Sequence, residues 1–381
     1  MAHVSKAIAV LAMAGAGVAF AQQGASGVRS WQVLGRAMQN ERKITCKCLI
    51  LCRDSMSSEM MNVWTEQSAD GHLKLTVLGP LSRQGITSID NGHEWITYRP
   101  DENRVMVEAS PREEETERTT RNRLSLAERN YTLNVENDST IIAGRKCYSL
   151  KAIAKHPEMP ARIYGIDKEK GYLLRMEVVT RGESKATLDT KEIEFPRSIP
   201  DEDFELEPHD HARMVTYDAP LTISVSRETK QVVGFRPAVP QSLPYGFVVE
   251  APQIVEGKNG KFIAVRITDG LVNATVYEWP DHKKGQKMRE ASSSEDRSVN
   301  GIKLQLKSEM PKTVEGGLLD CFVREALKKV ESCLIRNRNA EPLDLDRVLN
   351  FEEETNRETG AEGKASDCYS NVYAIVLIDV E

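Results

Sequence analysis

The chain has 381 residues, with 51 Lys and Arg against 57 Asp and Glu for a net charge of −6. That length is long for one hydrophobic core and comfortable for two. The mildly acidic balance argues against a general nucleic-acid binder, and a hydrophobic content of 40% argues against wholesale disorder.

The N-terminus indicates the compartment. Lys6, the apolar residues 7–20 and an A-x-A pattern at Ala19-Phe20-Ala21 read as a secretory signal peptide over residues 1–21. A membrane anchor is the competing reading, and the stretch is short for one. The mature chain is therefore expected to be exported and soluble. Seven cysteines remain: Cys46, Cys48, Cys52, Cys147, Cys321, Cys333 and Cys368. An odd number without a dense framework leaves at least one thiol free or shared between chains.

After a small-residue leader at 22–30, Trp31, Leu34, Ala37 and Met38 mark one face of a helix ending near Asn40. Ile44, Cys46, Cys48, Ile50 and Cys52 then recur at every second position, the period of a strand. Further strands are expected at 60–64 and 73–78, with Ala69-Asp70-Gly71 between them. Residues 86–107 carry the plainest signal. Asn91-Gly92 supplies the φ > 0 residues of a two-residue hairpin turn, Pro100-Asp101 breaks the run, and a third strand follows at 105–107. A mixed charge run at 113–123 reads as a solvated loop or exposed helix, with a short helix at 124–129. Strands at 131–135, 147–153, 163–166, 173–179 and 186–195 continue the series. Many short strands and few helices predict an antiparallel sheet that curls on itself.

The Pro-, Asp- and His-bearing residues around 208–224 read as a linker. Beyond it, strands are expected at 247–250, 262–268 and 272–278, with Asp269-Gly270 as a hairpin turn. Leu319, Phe322, Val323, Ala326, Leu327 and Val330 have helical spacing. Residues 332–381 are polar and acidic, a tail with a last apolar run at 373–380.

Several of these residues together resemble a known family. Asp90-Asn91-Gly92, Trp95, Tyr98 and Pro100 look like the "DG…W.Y.P" signature of the LolA-like lipoprotein-carrier superfamily. Ala143-Gly144-Arg145, Ile166-Asp167, Gly171-Tyr172-Leu173-Leu174-Arg175 and Phe204 fit the same pattern, over roughly residues 28–207. In the second part, Gly234-Phe235, Pro240, Leu243-Pro244 and Gly246-Phe247 resemble the C-terminal domain of the MucB/RseB family. So does Thr268-Asp269-Gly270-Leu271 before Thr275-Val276-Tyr277-Glu278. The resemblance implies a periplasmic regulator of the sigma-E envelope-stress response, with a lipid-sensing cavity and a membrane-bound anti-sigma factor as partner. The acidic stretch after about Val330 departs from the family pattern.

The expected fold is α+β, mainly β. A LolA-like curved antiparallel half-barrel with covering helices would occupy 22–207, and a smaller α+β domain would occupy 225–331. Cavity candidates for an acyl chain are Trp64, Leu73, Leu75, Val77, Trp95, Ile96, Tyr98 and Met106. For each the competing reading is ordinary core. Cys46, Cys48 and Cys52 alternate along a strand rather than flanking a turn, which suits buried core better than a thiolate metal site. A disulfide from Cys46 to Cys48 is geometrically poor, and one to Cys147 is an open alternative. His209-Asp210-His211 reads as solvated linker rather than metal site. No catalytic spacing is present, whether G-x-S-x-G, H-E-x-x-H or a phosphate loop, and no cofactor is expected.

The function expected is thus non-catalytic: an exported regulator that binds lipid or lipoprotein acyl chains and an anti-sigma factor, with no nucleic-acid partner. A lipoprotein or lipid carrier is the alternative and an exported hydrolase the third reading. Self-association is left open.

Overall fold

The computed structural model describes residues 25–40, 43–53, 59–110, 117–180, 183–206, 211–217, 221–222, 227–250, 252–257, 260–281, 295–308 and 310–336. The expected signal peptide, His209-Asp210 and the tail beyond residue 336 lie outside the described residues. Among those residues, no helix is long and apolar enough to cross a membrane.

Helix α1 (Ala25–Asn40) precedes β1 (Cys46–Arg53), β2 (Met60–Gln67), β3 (Leu73–Gly79), β4 (Thr87–Asp90), β5 (Glu94–Arg99) and β6 (Arg104–Ala109). Helix α2 (Glu117–Asn130) leads into β7 (Tyr131–Ile142), β8 (Arg145–Ala154), β9 (Ala161–Asp167), β10 (Leu173–Thr180) and β11 (Glu183–Glu194). These eleven strands and β12 (Arg213–Thr216) form one sheet in the order β12-β6-β5-β4-β3-β2-β1-β11-β10-β9-β8-β7. Strand β11 returns to pair with β1, which joins two meanders into a single curved open sheet. Pairing is antiparallel throughout, except that β12 adds parallel to β6. Part of the stretch read as linker is therefore the edge of the first sheet.

Alternation along the strands puts one face under α1. Trp31, Leu34, Ala37 and Met38 pack there with Cys48, Ile50, Cys52, Met61, Val63, Leu133, Leu150, Tyr164 and Met176 in one core. Strand β7 runs unbroken through the polar residues Glu136 and Asn137, absorbing two irregularities in its pairing with β8. The expected hairpin turn is present but displaced by one residue. Asn91 N donates to Glu94 O at 3.1 Å, which leaves Gly92 (φ +91°) and His93 at the tip. The Asn91 side chain accepts from the backbone N–H of His93 and Glu94 at 3.0 and 2.8 Å, holding Asn91 at the flank.

The second sheet contains β13 (Leu221–Thr222), β14 (Val248–Val249), β15 (Gln253–Gly257), β16 (Gly260–Thr268), β17 (Asn273–Pro280), β18 (Glu295–Val299) and β19 (Ile302–Lys307). Its order is β13-β15-β16-β17-β19-β18, with β14 also on β16. The short helix α3 (Arg227–Val233) and the long α4 (Lys312–Arg336) complete it. Val314, Leu318, Leu319 and Phe322 of α4 pack on Ile263, Val265, Val276, Leu304 and Leu306, a second core. Helix α4 continues past residue 331, where the tail was expected to begin.

Candidate functional site

The face under α1 changes character across the sheet. From β7 to β3 it is mainly apolar, with the Arg162 side chain of β9 buried beside Ala152 and Met176. From β4 to β6 the buried residues include Ser88, Asp90, Thr97, Arg99, Arg104 and Glu108. Directly paired residues share a face, and the register sets Trp95 opposite Asp90 and Glu108, and Thr97 opposite Ser88 and Met106. Hydrogen bonds support this polar end. The Ser88 and Thr97 hydroxyls lie 3.1 Å apart, Trp95 Nε1 donates to Thr97 Oγ1 at 3.1 Å, and Ser110 Oγ donates to Asp90 Oδ1 at 2.8 Å.

The eight cavity candidates divide accordingly. Leu73, Leu75, Val77 and Trp95 belong to the core under α1. Met106 is buried on the same side by register, at the polar end. Trp64, Ile96 and Tyr98 alternate to the opposite face and are only partly buried. The period of two along each strand separates the two sets.

The feature that sequence reading missed is where the β16–β17 turn goes. Thr268-Asp269-Gly270-Leu271 is indeed a hairpin tip, but it is driven into the first unit. Leu271 is 4% exposed and packs in the core under α1 together with Ala127 of α2. Gly270 has φ +102°, and a Cβ there would lie 2.4 Å from Ala127 N and 2.5 Å from Arg123 O, so the tip rests on the α2 backbone. Asp269 shapes the tip by accepting from Leu271 N and Val272 N at 2.9 and 2.7 Å. Its other oxygen accepts from Tyr131 Oη at 2.6 Å.

Neighbouring contacts extend this junction. Asn130 Nδ2 donates to Gly246 O at 2.9 Å and to Asp269 O at 2.8 Å. Arg123 Nη2 pairs with Glu250 at 2.8 Å. In the reverse direction, Met159 of the β8–β9 loop packs in the second core, and His156 meets the Tyr245 ring edge-on at 6.3 Å.

Burial pushes the Asp269 carboxyl above its ordinary value, while the Tyr131 hydroxyl, the two backbone N–H groups and the Arg162 charge pull the other way. Burial, and after it the Asp269 charge, raises the Tyr131 hydroxyl well above its usual value. The folded state thus holds the Asp269 proton more tightly than the unfolded chain does. Its contribution to stability is present below the ordinary carboxylate value and is lost as pH rises through the raised one. Asn at this position keeps an oxygen for both N–H groups and does not titrate. Asp269→Asn should therefore flatten the fall in stability as pH rises above the ordinary carboxylate range, relative to the parent chain, measured by urea unfolding at each pH.

Cys46, Cys48, Cys52, Cys147 and Cys321 are all free thiols. Cys46 and Cys147, the pair left open for a disulfide, share a small cluster with Ile142, Tyr172 and Leu174. Burial and the nearby Asp167 carboxylate push the Cys147 thiol up to about 11. Little thiolate forms there near neutral pH, so this cysteine is a packing residue.

A wide curved open antiparallel sheet with a helix on one face, followed by a smaller α+β sheet, is a known class of fold. Solved structures of MucB share it. The crystal structure of MucB matches with a TM-score of 0.51 at 11% identity, over 76% of this chain and 96% of that one. MucB in complex with MucA(peri) matches at 0.50 and 11%, with the same coverage. The Pseudomonas aeruginosa MucA/MucB complex matches at 0.51 and 12%, over 76% and 97%. The chain has a MucB-like fold. The sequence matches no protein-family model, and a search of curated proteins gives no match.

Proposed function

We propose that this chain is an exported regulator of the MucB type, one that binds lipid or lipoprotein acyl chains and the exported segment of a membrane-bound anti-sigma factor. The MucB-like fold over both units supports the partner class, since MucB itself has been solved with MucA. The observation that carries the reading is Leu271, a residue of the second unit seated among the apolar side chains of the first. An acyl chain entering between α1 and the sheet competes for the space that Leu271 fills. Binding in the first unit then weakens docking of the second, and linkage requires that loosening of the tip favour the acyl chain in return. The acyl site lies at the apolar end, near Leu73, Leu75 and Val77, because the β4–β6 end presents charges that are costly to leave against hydrocarbon.

The test is to incubate the full chain with a diacylated lipopeptide and record native mass spectra and amide exchange. A retained lipid adduct with faster exchange at Leu271 and Val272, whose N–H groups bond Asp269, is the expected outcome. A protein that ignores the lipopeptide rejects acyl binding, and binding with unchanged exchange at the tip rejects the coupling. Capture of a single-span envelope protein by the same chain tests the partner.

A further inference from the structure

A second chemistry lies at the far end of the β2–β3 hairpin. We propose that Asp70, His72 and Asp201 form a site for a divalent transition-metal ion, best matched by Zn2+, that ties this turn to the 3-10 turn Asp201–Phe204. The β2–β3 turn is closed by Ser68 N donating to His72 O at 3.0 Å and His72 N donating to Ser68 Oγ at 3.1 Å. Ser68 Oγ also holds Asp70 Oδ1. That fixes Asp70 Oδ2 3.7 Å from His72 Nδ1. The gap is too long for a hydrogen bond, and it is close to the ~3.4 Å separating two ligands of a tetrahedral ion with bonds of about 2.1 Å.

Asp201 arrives from the far end of the first unit, and one ligand atom from each of the three residues lies within 4.8 Å of the others. His72 Nδ1 is shielded from solvent and has no hydrogen-bond partner. An imidazole nitrogen held beside two carboxylates in that way is a ready metal ligand.

The scaffold holds the two turns in place by other means. Phe204 meets the His72 ring edge-on at 5.6 Å and is buried with Ile89 and Ile199. Lys74 Nζ donates to Asp203 O at 2.8 Å, and Lys47 Nζ pairs with Asp203 at 3.3 Å. The three donors are therefore brought together without an ion. One nitrogen and two carboxylate oxygens suit Zn2+ or its surrogate Co2+, whereas Mg2+ and Ca2+ ask for an all-oxygen shell. Asp70 and Asp201 are exposed, so an ion reaches the site from solvent and water completes its shell.

The experiment titrates the full chain with Co2+, followed by visible absorption, and with Zn2+, followed by thermal unfolding. One tight equivalent of Co2+ and a rise of about 3–5 °C in Tm with excess Zn2+ are expected. Both signals should vanish in His72→Gln and in Asp201→Asn, whose side chains are not core. Absence of Co2+ binding overturns the proposal. So does binding that survives in His72→Gln, which would place the ion elsewhere, or an equal Tm rise with Mg2+, which would mark diffuse attraction to acidic surface.

Discussion

Gly270→Ala is expected to cost roughly 3–5 kcal/mol and to release the second unit from the first. Two effects add. The φ of +102° is unfavourable for any residue with a Cβ, and the added carbon meets the backbone of Ala127 and Arg123 at 2.4 and 2.5 Å, atoms that cannot rotate away. Gly234→Ala separates the two contributions. Gly234 also has positive φ, +85°, but nothing lies within 4 Å of a Cβ there. It should lose only the conformational term, about 1–2 kcal/mol. Urea unfolding of both variants gives the difference, and limited proteolysis shows whether the units separate in the first. Equal losses would mean that the tip is not wedged against α2.

Leu75→Glu should be the most damaging single change in the first sheet, and Ile96→Glu on the neighbouring hairpin one of the milder ones. Leu75 is fully buried in the core under α1. A carboxylate there is left without water or partner, for a loss of at least ~4 kcal/mol. Ile96 alternates to the other face, opposite Ile89 and Val107, where it is half-buried. A glutamate there reaches solvent, and the loss should stay under about 1.5 kcal/mol. Far-UV circular dichroism with urea titration measures both. A comparable loss for the two would overturn the assignment of faces. The pair also refines the acyl-site proposal, since a charge at Ile96 should leave lipopeptide uptake unchanged.

The strands of the first sheet were legible because their side chains alternate and their turns carry Gly, Asn and Asp. Cys46, Cys48, Ile50 and Cys52 show the rule at work, each buried and every second residue along β1. Which face Trp95 and Ile96 take was not legible, since both are apolar and only the register decides. Strand β18 escaped notice because EDRSV is too charged to look like sheet until paired, whereas β19 alternates Ile302, Leu304 and Leu306 and carried the signal that was missed. The hairpin at Asp269-Gly270 was readable as a turn. Its role was not, because its partners Ala127 and Tyr131 stand far away in the chain. The same holds for Asp70 and His72, whose companion Asp201 lies on another turn. Local chemistry is written locally, and convergence of distant residues is a property of the fold.

The parallel strand β12 has a mechanical consequence. Pairing on β6 anchors the chain through Thr216, and the second sheet takes hold again at Leu221. A fully extended connection of that length spans only about 17 Å. A second unit lifted off its seat therefore stays on a short leash, at an effective concentration of the order of millimolar or above. Return is then an intramolecular event independent of how much protein is present. A ligand acting here need not overcome dilution, only the grip of the hairpin tip and the loop contacts beside it.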